Sequence, residues 1–236
     1  MDAVKGCEIC GGTGWIEWED DNGYLFAKPC KCELERRYKE RLQQSNLSKA
    51  EEQTFDTYNA RYPWQIKIKE SAEKYTRDVI SSMDPARTAQ PIIAPWFYIG
   101  GQVGAGKTHI CTAICSELIN AGKWVRYDKW PDVAASLKGL RNTAEFSAKM
   151  STYTTAKVLY LDDLFKGSCT KSDIQLAWQL IDARYAGGRP TIISSEMFSN
   201  DLIRLDEALG SRIKEMARGY MHNLIRDRER NQRMTG

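Results

Sequence analysis

From residue 96 onward, short runs of continuous apolar residues alternate with longer segments whose apolar positions recur every three to four residues. "WFYIG", "KWVRYD", "KVLYLDD" and "PTIISSE" read as strands. "KTHICTAICSELINAG", which closes on glycine, reads as a helix, as do "WPDVAASLKGL", "AEFSAKM" and "SDIQLAWQLIDARYAGG". "SNDLIRL" and "LGSRIKEMA" complete the series as helical pieces. Strands that are apolar throughout are buried on both faces, so this region predicts a parallel sheet between layers of helices, an α/β fold.

The first thirty residues follow another pattern. Trp15 to Trp18 and Tyr24 to Phe26 predict two short strands, with Asp21, Asn22 and Gly23 between them. Asn-Gly supplies the positive φ angles of a tight hairpin turn. The charged "ELERRYKERLQQ" predicts a helix, and the polar "SNLSKAEEQTFDTYNARYP" breaks at Pro63. A helix from about Trp64 to Met83 then leads into the loop "DPARTAQP". The expected division is an N-terminal domain over residues 1–59 and a larger one over 60–236.

Composition narrows the function classes. At 236 residues the chain has room for one medium and one small domain, and its 42% apolar content supports a real core. The 34 basic and 31 acidic residues leave a net charge of +3, so any nucleic-acid contact must come from a local patch. No apolar run approaches the ~18 residues of a membrane helix, and no signal peptide opens the chain. The expectation is a soluble cytoplasmic protein without membrane contact.

Gly101, Gly106, Lys107 and Thr108 satisfy G-x-x-x-x-G-K-[ST], between a predicted strand and a predicted helix. Glycines at 101, 104 and 106 let backbone N–H groups face a phosphate at the positive end of that helix. Lys107 is expected to neutralise the β and γ oxygens, and Thr108 to hold Mg²⁺. "VLYLDD" ends a strand in Asp162 and Asp163, the place of a Walker B motif. Asp162 would hold the Mg²⁺ shell and Asp163 would orient the attacking water, because phosphoryl transfer needs positioning more than covalent help. NTP hydrolysis follows. Asp163 reaches less far than a glutamate would, which predicts slow turnover, suited to a switch.

Four of the seven cysteines, Cys7, Cys10, Cys30 and Cys32, form C-x-x-C and C-x-C pairs around the hairpin. In a reducing compartment such a cluster predicts metal ligation, and four thiolates suit tetrahedral Zn²⁺. A free hairpin of this size is marginal, so the metal would supply most of its folding energy. Lys5, Lys28 and Lys31 would offset the charge of a four-thiolate centre. Glu17, Glu19, Asp20 and Asp21 would repel phosphate, whereas Trp15, Trp18, Tyr24 and Phe26 supply aromatic surface of the kind protein interfaces use, where they do not pack the module itself. Protein docking is therefore preferred to DNA binding. Cys111 and Cys115, four apart on one helix face, read as buried apolar residues, and His109 as a packing residue.

In order along the chain, "CEICGGTGW" with "CKC", "GQVGAGKTH", "VLYLDDLFKG", "IDARY", "PTIISSE" and "EALGSRIKEMARG" together resemble the AAA+ helicase loaders of the DnaC/DnaI type, especially those of phages of Gram-positive bacteria. The resemblance covers nearly the whole chain. It implies an AAA+ P-loop core behind a small zinc-ribbon-like, helical domain, residing in the bacterial or host cytoplasm. It also implies an ATPase that binds the hexameric DnaB-type replicative helicase and helps place it on single-stranded DNA, with weak DNA contact of its own and self-assembly through the AAA+ domain. Arg212, in "SRI", then maps onto the arginine finger that reaches ATP on a neighbouring subunit, and Arg184 onto a second interface candidate. Where many AAA+ proteins end a strand in a polar sensor, this chain offers Ser194, Ser195 and Glu196; Ser195 is the expected sensor, and Glu196 either turns away or positions water. The competing readings are an IstB-like transposition ATPase, a zinc-dependent adaptor whose nucleotide is structural, and a small-molecule kinase. No lid or acceptor motif supports the last. The tail "IRDRERNQRMTG" could touch DNA, but a solvated terminus accounts for it as well.

Overall fold

The computed structural model describes residues 6–47, 49, 51–84, 95–167 and 169–225. Lys5, most of the loop before residue 95 and the tail beyond Ile225 lie outside them. Strands β1 (Trp15–Glu19) and β2 (Leu25–Pro29) form the expected antiparallel hairpin, with Trp18 opposite Phe26. Helices α1 (Lys31–Gln44) and α2 (Pro63–Ser82) follow. Proline suits the first turn of α2 because its missing N–H is not needed there.

The remainder alternates as the apolar pattern predicts. It comprises β3 (Phe97–Gly101), α3 (Lys107–Asn120), β4 (Val125–Lys129), α4 (Trp130–Gly139), α5 (Glu145–Thr154), β5 (Val158–Leu164) and α6 (Lys171–Ala186). Then come β6 (Thr191–Ser195), α7 (Ser199–Leu205), α8 (Glu207–Met216) and β7 (Met221–Leu224). The five strands of this sheet run in the order β4-β5-β6-β3-β7, all parallel. Along β3, Phe97 and Ile99 belong to one core with Ile114 of α3 and Tyr75 of α2, while Tyr98 belongs to another with Leu180 of α6 and Ile213 of α8. Both faces are apolar, which is why no period of two was visible in the strand sequences.

Strand β7 escaped the sequence reading. "MHNL" is short and half polar, and only its pairing with β3 identifies it. The pairing is close: a Cβ at Gly101, whose φ is 106°, would lie 2.2 Å from the Leu224 carbonyl oxygen. Connecting β3 to the far edge strand β4 leaves β5 and β6 to fill in from later sequence. The chain therefore reverses direction across the sheet beside β3. Open parallel sheets bind ligands at such a reversal, outside the carboxyl ends of the strands.

The expected boundary near residue 59 does not coincide with a break in packing. Leu47, Phe55 and Tyr58 are buried in the core shared by α2 and α3. Ser45 O accepts Tyr127 N–H at 2.9 Å, and Arg41 Nε donates to Ile119 O at 3.0 Å. Isolated aromatic anchors in a polar stretch carry too weak a periodicity to be read as core.

Arg184 is also relocated. It is fully buried, donating from Nε to Thr191 Oγ1 (2.8 Å), from Nη1 to the carbonyls of Tyr153 and Ala156 (both 2.9 Å) and from Nη2 to Pro190 O (2.6 Å). It ties the end of α6 to the strands on either side and presents nothing at the surface. Arg184→Ala strands these acceptors and opens a cavity; it should cost on the order of 3 kcal/mol in urea unfolding while nucleotide affinity of the folded protein is retained.

Candidate functional site

The glycines of the phosphate loop are needed where they stand. Gly101, Gly104 and Gly106 have φ of 106°, 77° and 79°, a region side chains disfavour. Gly106 is the N-cap of α3, so the unpaired amides of the first helical turn open beside the loop. A cavity of 240 Å³ lies there, lined among others by Gly104, Lys107, Thr108, Asp163, Lys166 and Glu196. The buried Lys107 donates from Nζ to Gly101 O at 2.9 Å and to Gln102 O at 2.6 Å. Burial lowers its pKa, and the carboxylates of Glu196 and Asp163 oppose that shift.

Asp162 sits at the carboxyl end of β5, only 2% exposed. Its Oδ1 accepts hydroxyls from Tyr160 (2.7 Å), Thr108 (3.4 Å) and Ser194, and its Oδ2 accepts from Tyr127 at 3.3 Å. The two residues expected to hold Mg²⁺, Thr108 and Asp162, are thus side by side. A register shift between Leu161 and Leu164 interrupts the pairing of β5 with β6 at the aspartates. Asp163 takes φ of 57°, donates its N–H to Ser194 Oγ (3.0 Å) and receives Lys166 Nζ at 2.7 Å.

The serine in contact with Asp162 is Ser194, not Ser195. Successive side chains of a strand face opposite ways. Ser195 Oγ instead donates to Leu164 O at 2.7 Å and accepts Met197 N–H at 3.1 Å. Glu196 does not turn away: it lines the phosphate cavity, 3.7 Å from Lys166 Nζ. Arg212 lines neither this cavity nor the adjoining one around Asp162. It pairs with Asp182 at 2.9 Å, donates to Ala208 O at 3.0 Å and stacks 5.5 Å from the Tyr185 ring centre.

Two contributors were not visible in the sequence, and a third, His109, was read only as packing. Lys166 reaches the cavity from the turn after β5. Gln53 lines both cavities, its amide oxygen buried without a hydrogen-bond donor. His109 Nε2 lies 3.0 Å from Thr54 O and 3.2 Å from Thr57 Oγ1, with its ring edge-on to Tyr58. It packs as expected, but its role is to bind the segment after α1 to the start of α3.

The second constellation is the cysteine cluster. The sulfurs of Cys7, Cys10, Cys30 and Cys32 all lie within 4.8 Å of one another, with Cys7–Cys30 at 3.8 Å and Cys10–Cys32 at 3.5 Å. Four thiolates bonded to one Zn²⁺ at about 2.3 Å stand about 3.8 Å apart, so the donors fit a tetrahedral ion. Gly11, Gly12 and Gly14 have positive φ, and Gly11 N–H returns to Cys7 O at 2.9 Å, folding the first pair into a knuckle. Cys30 N–H donates to Gly14 O at 2.8 Å and closes the second pair against it. Desolvation raises the Cys10 thiol pKa, but hydrogen bonds from the amides of Gly14 and Gly12 and from the thiols of Cys32 and Cys7 together bring it down to about 6, while desolvation and the neighbouring cysteines push the Cys32 thiol up. On the hairpin Trp18 stacks on Phe26 at 5.7 Å, yet Trp15, Trp18, Tyr24, Leu25 and Phe26 all remain exposed.

The chain is similar to known proteins. The profile of the family described as "IstB-like ATP binding protein" matches residues 18–213. The phage-like element PBSX protein XkdC of Bacillus subtilis (strain 168) is 31% identical over 221 residues, covering 87% of this chain and 80% of that one. The replicative helicase loader DnaC of Escherichia coli (strain K12) is 25% identical over 124 residues, 52% of this chain and 49% of the relative. A crystal structure of the DnaC helicase loader superposes with a TM-score of 0.62 at 22% identity, covering 76% of this chain and 99% of the other, which establishes a common fold.

Titrating the reduced metal-free chain with Co²⁺ should give thiolate-to-metal charge-transfer absorption saturating at one ion per chain. Cys10→Ser should abolish that absorption, whereas Cys111→Ser, in the buried core, should leave it unchanged.

Proposed function

The chain belongs to the IstB-like ATP-binding protein family, within the DnaC/IstB group of AAA+ ATPases, and from that membership we propose that it is an ATP-hydrolysing loader of a hexameric replicative helicase. The observation that carries this reading is the physical link between the cysteine module and the ATP site. The hairpin presents exposed aromatics and acidic side chains, a surface suited to protein and hostile to phosphate. Helix α1 grows directly from Cys30 and Cys32, docks on the end of α3 through Arg41, and continues into the 53–58 segment that His109 holds against the start of α3. A grip on one partner is thus built onto the helix that begins at the phosphate loop.

At the ATP site, the amides of the loop and of α3 cradle the phosphates while Lys107 neutralises the β and γ oxygens. Thr108 and Asp162 are placed to hold Mg²⁺, which when bound screens the phosphate charge. Asp163 orients the attacking water. Arg212 acts on ATP bound by a neighbouring copy, which requires it to leave Asp182; turnover then depends on assembly. Cys7, Cys10, Cys30 and Cys32 would hold Zn²⁺, which would supply folding energy to the grip. Single-stranded DNA contact is secondary, in line with the nearly balanced charge.

An IstB-like transposition role is the second reading, favoured by the description of the matching profile. That match begins at residue 18, beyond Cys7 and Cys10, so the first half of the metal cluster lies outside it.

Pull-down of the cognate helicase separates the two halves of the proposal. Lys107→Ala and Arg212→Ala should lose at least roughly 100-fold in ATPase activity yet still capture helicase. Cys7→Ser, or zinc chelation, should abolish capture while nucleotide binding persists. Capture of a transposase instead of the helicase would select the second reading. Asp163→Glu, with its longer reach, should raise turnover; no gain would remove the argument that Asp163 sets a slow rate.

A further inference from the structure

Asp163 and Glu196 both face the phosphate cavity, at the ends of two neighbouring strands and across from the loop that holds Lys107. Two carboxylates there repel the terminal phosphate of a triphosphate. Within this cavity the compensating cation is Lys166, whose Nζ lies 2.7 Å from Asp163 Oδ2 and 3.7 Å from Glu196 Oε1. Lys107 and Lys166 together match the two carboxylates; without Lys166 the cavity carries one excess negative charge. Among the described residues, the only other titratable one lining it is His109, whose Nε2 is engaged by Thr54 O and Thr57 Oγ1. Lys49 and Lys129 line the adjoining cavity, beside Asp162, and not this one.

The placement of Lys166 is built into the fold. Its N–H returns to Asp163 O at 3.0 Å in a turn whose residues Asp163, Phe165 and Gly167 have φ of 57°, 60° and 85°. Phe165 is buried edge-on against Trp130 at 5.6 Å, and Leu164 is fully buried. The backbone under Lys166 is therefore anchored on both sides, while its side chain stays 48% exposed and free to swing from the carboxylates to an incoming oxygen.

We infer that Lys166 is the residue by which this site distinguishes ATP from ADP, binding the terminal phosphate between Asp163 and Glu196. A diphosphate fills the loop and engages Lys107 but brings no charge up to the carboxylates. A triphosphate does, and draws Lys166 from Asp163, releasing that carboxylate to hold water. This rests on the ATP site argued above, and deepens it by naming what reads the third phosphate.

The test is equilibrium binding of fluorescent ATP and ADP analogues to the full chain with Mg²⁺. Lys166→Ala should weaken ATP binding roughly tenfold or more and leave ADP within about twofold. Lys166→Arg should retain most of the preference, and Lys166→Ala combined with Glu196→Gln should recover much of the lost ATP affinity. Equal weakening of both nucleotides, or no change in either, would overturn the assignment while leaving the ATP site intact. Failure of the unaltered protein to bind either nucleotide would sink the underlying reading instead.

Discussion

A carboxylate held nearly out of water is the constraint on which this structure turns. Burying Asp162 costs several kcal/mol unless its lone pairs are satisfied, and among the described residues no cation pairs with it. Four hydroxyls do so, from Thr108 at the start of α3, Tyr127 on β4, Tyr160 on β5 and Ser194 on β6. Three adjacent strands and the phosphate-loop helix are thereby fixed to one point at the carboxyl edge of the sheet. The same point is where Mg²⁺ is expected, so the interactions that hold the sheet's edge together also orient the ligands.

The neighbouring aspartate is held differently. Asp163 leaves the strand ladder at the irregularity in β5, takes a left-handed conformation and meets the half-exposed ammonium group of Lys166. One carboxylate is locked and the next is released from the ladder within two residues. A metal ligand needs the first property, since its geometry must not drift, and a group that positions water needs the second, since it must answer to what occupies the cavity. The N-terminal module reaches this region through packing rather than through a linker. Phe55 and Tyr58 are buried beside α3, and Gln53, just before them, lines the nucleotide cavities. The hairpin is thereby joined through α1 and its contacts with α3 to the walls of the site.

Much of this was legible in the chain. The apolar runs located four of the five parallel strands, and the glycines, Lys107, Thr108 and the paired aspartates were readable because local backbone geometry and phosphate chemistry demand those residue types at that spacing. The cysteine pairs were readable for the same reason, since two short turns suffice to bring each pair to one ion. Other features were not. Ser194 and Ser195 are equivalent as letters, and only the facing of β6 decides which one meets Asp162. Arg184 looked like a surface charge until three elements closed their carbonyls around it. β7 had no apolar run to announce it, because Leu224 alone of its four residues is buried and its place rests mainly on backbone pairing with β3.

The sequence by itself determined most of the elements, the phosphate loop, the acidic pair and the two cysteine pairs, all of which depend on residues close together along the chain. Only the tertiary structure decided that Glu196 and Lys166 share a cavity with Lys107, that Arg212 rests on Asp182 away from it, and that Leu47, Phe55 and Tyr58 are buried in one core with α2 and α3. Those facts depend on strand order and on which face each side chain takes, and a parallel sheet brings together residues far apart in sequence with no local signal to mark the meeting.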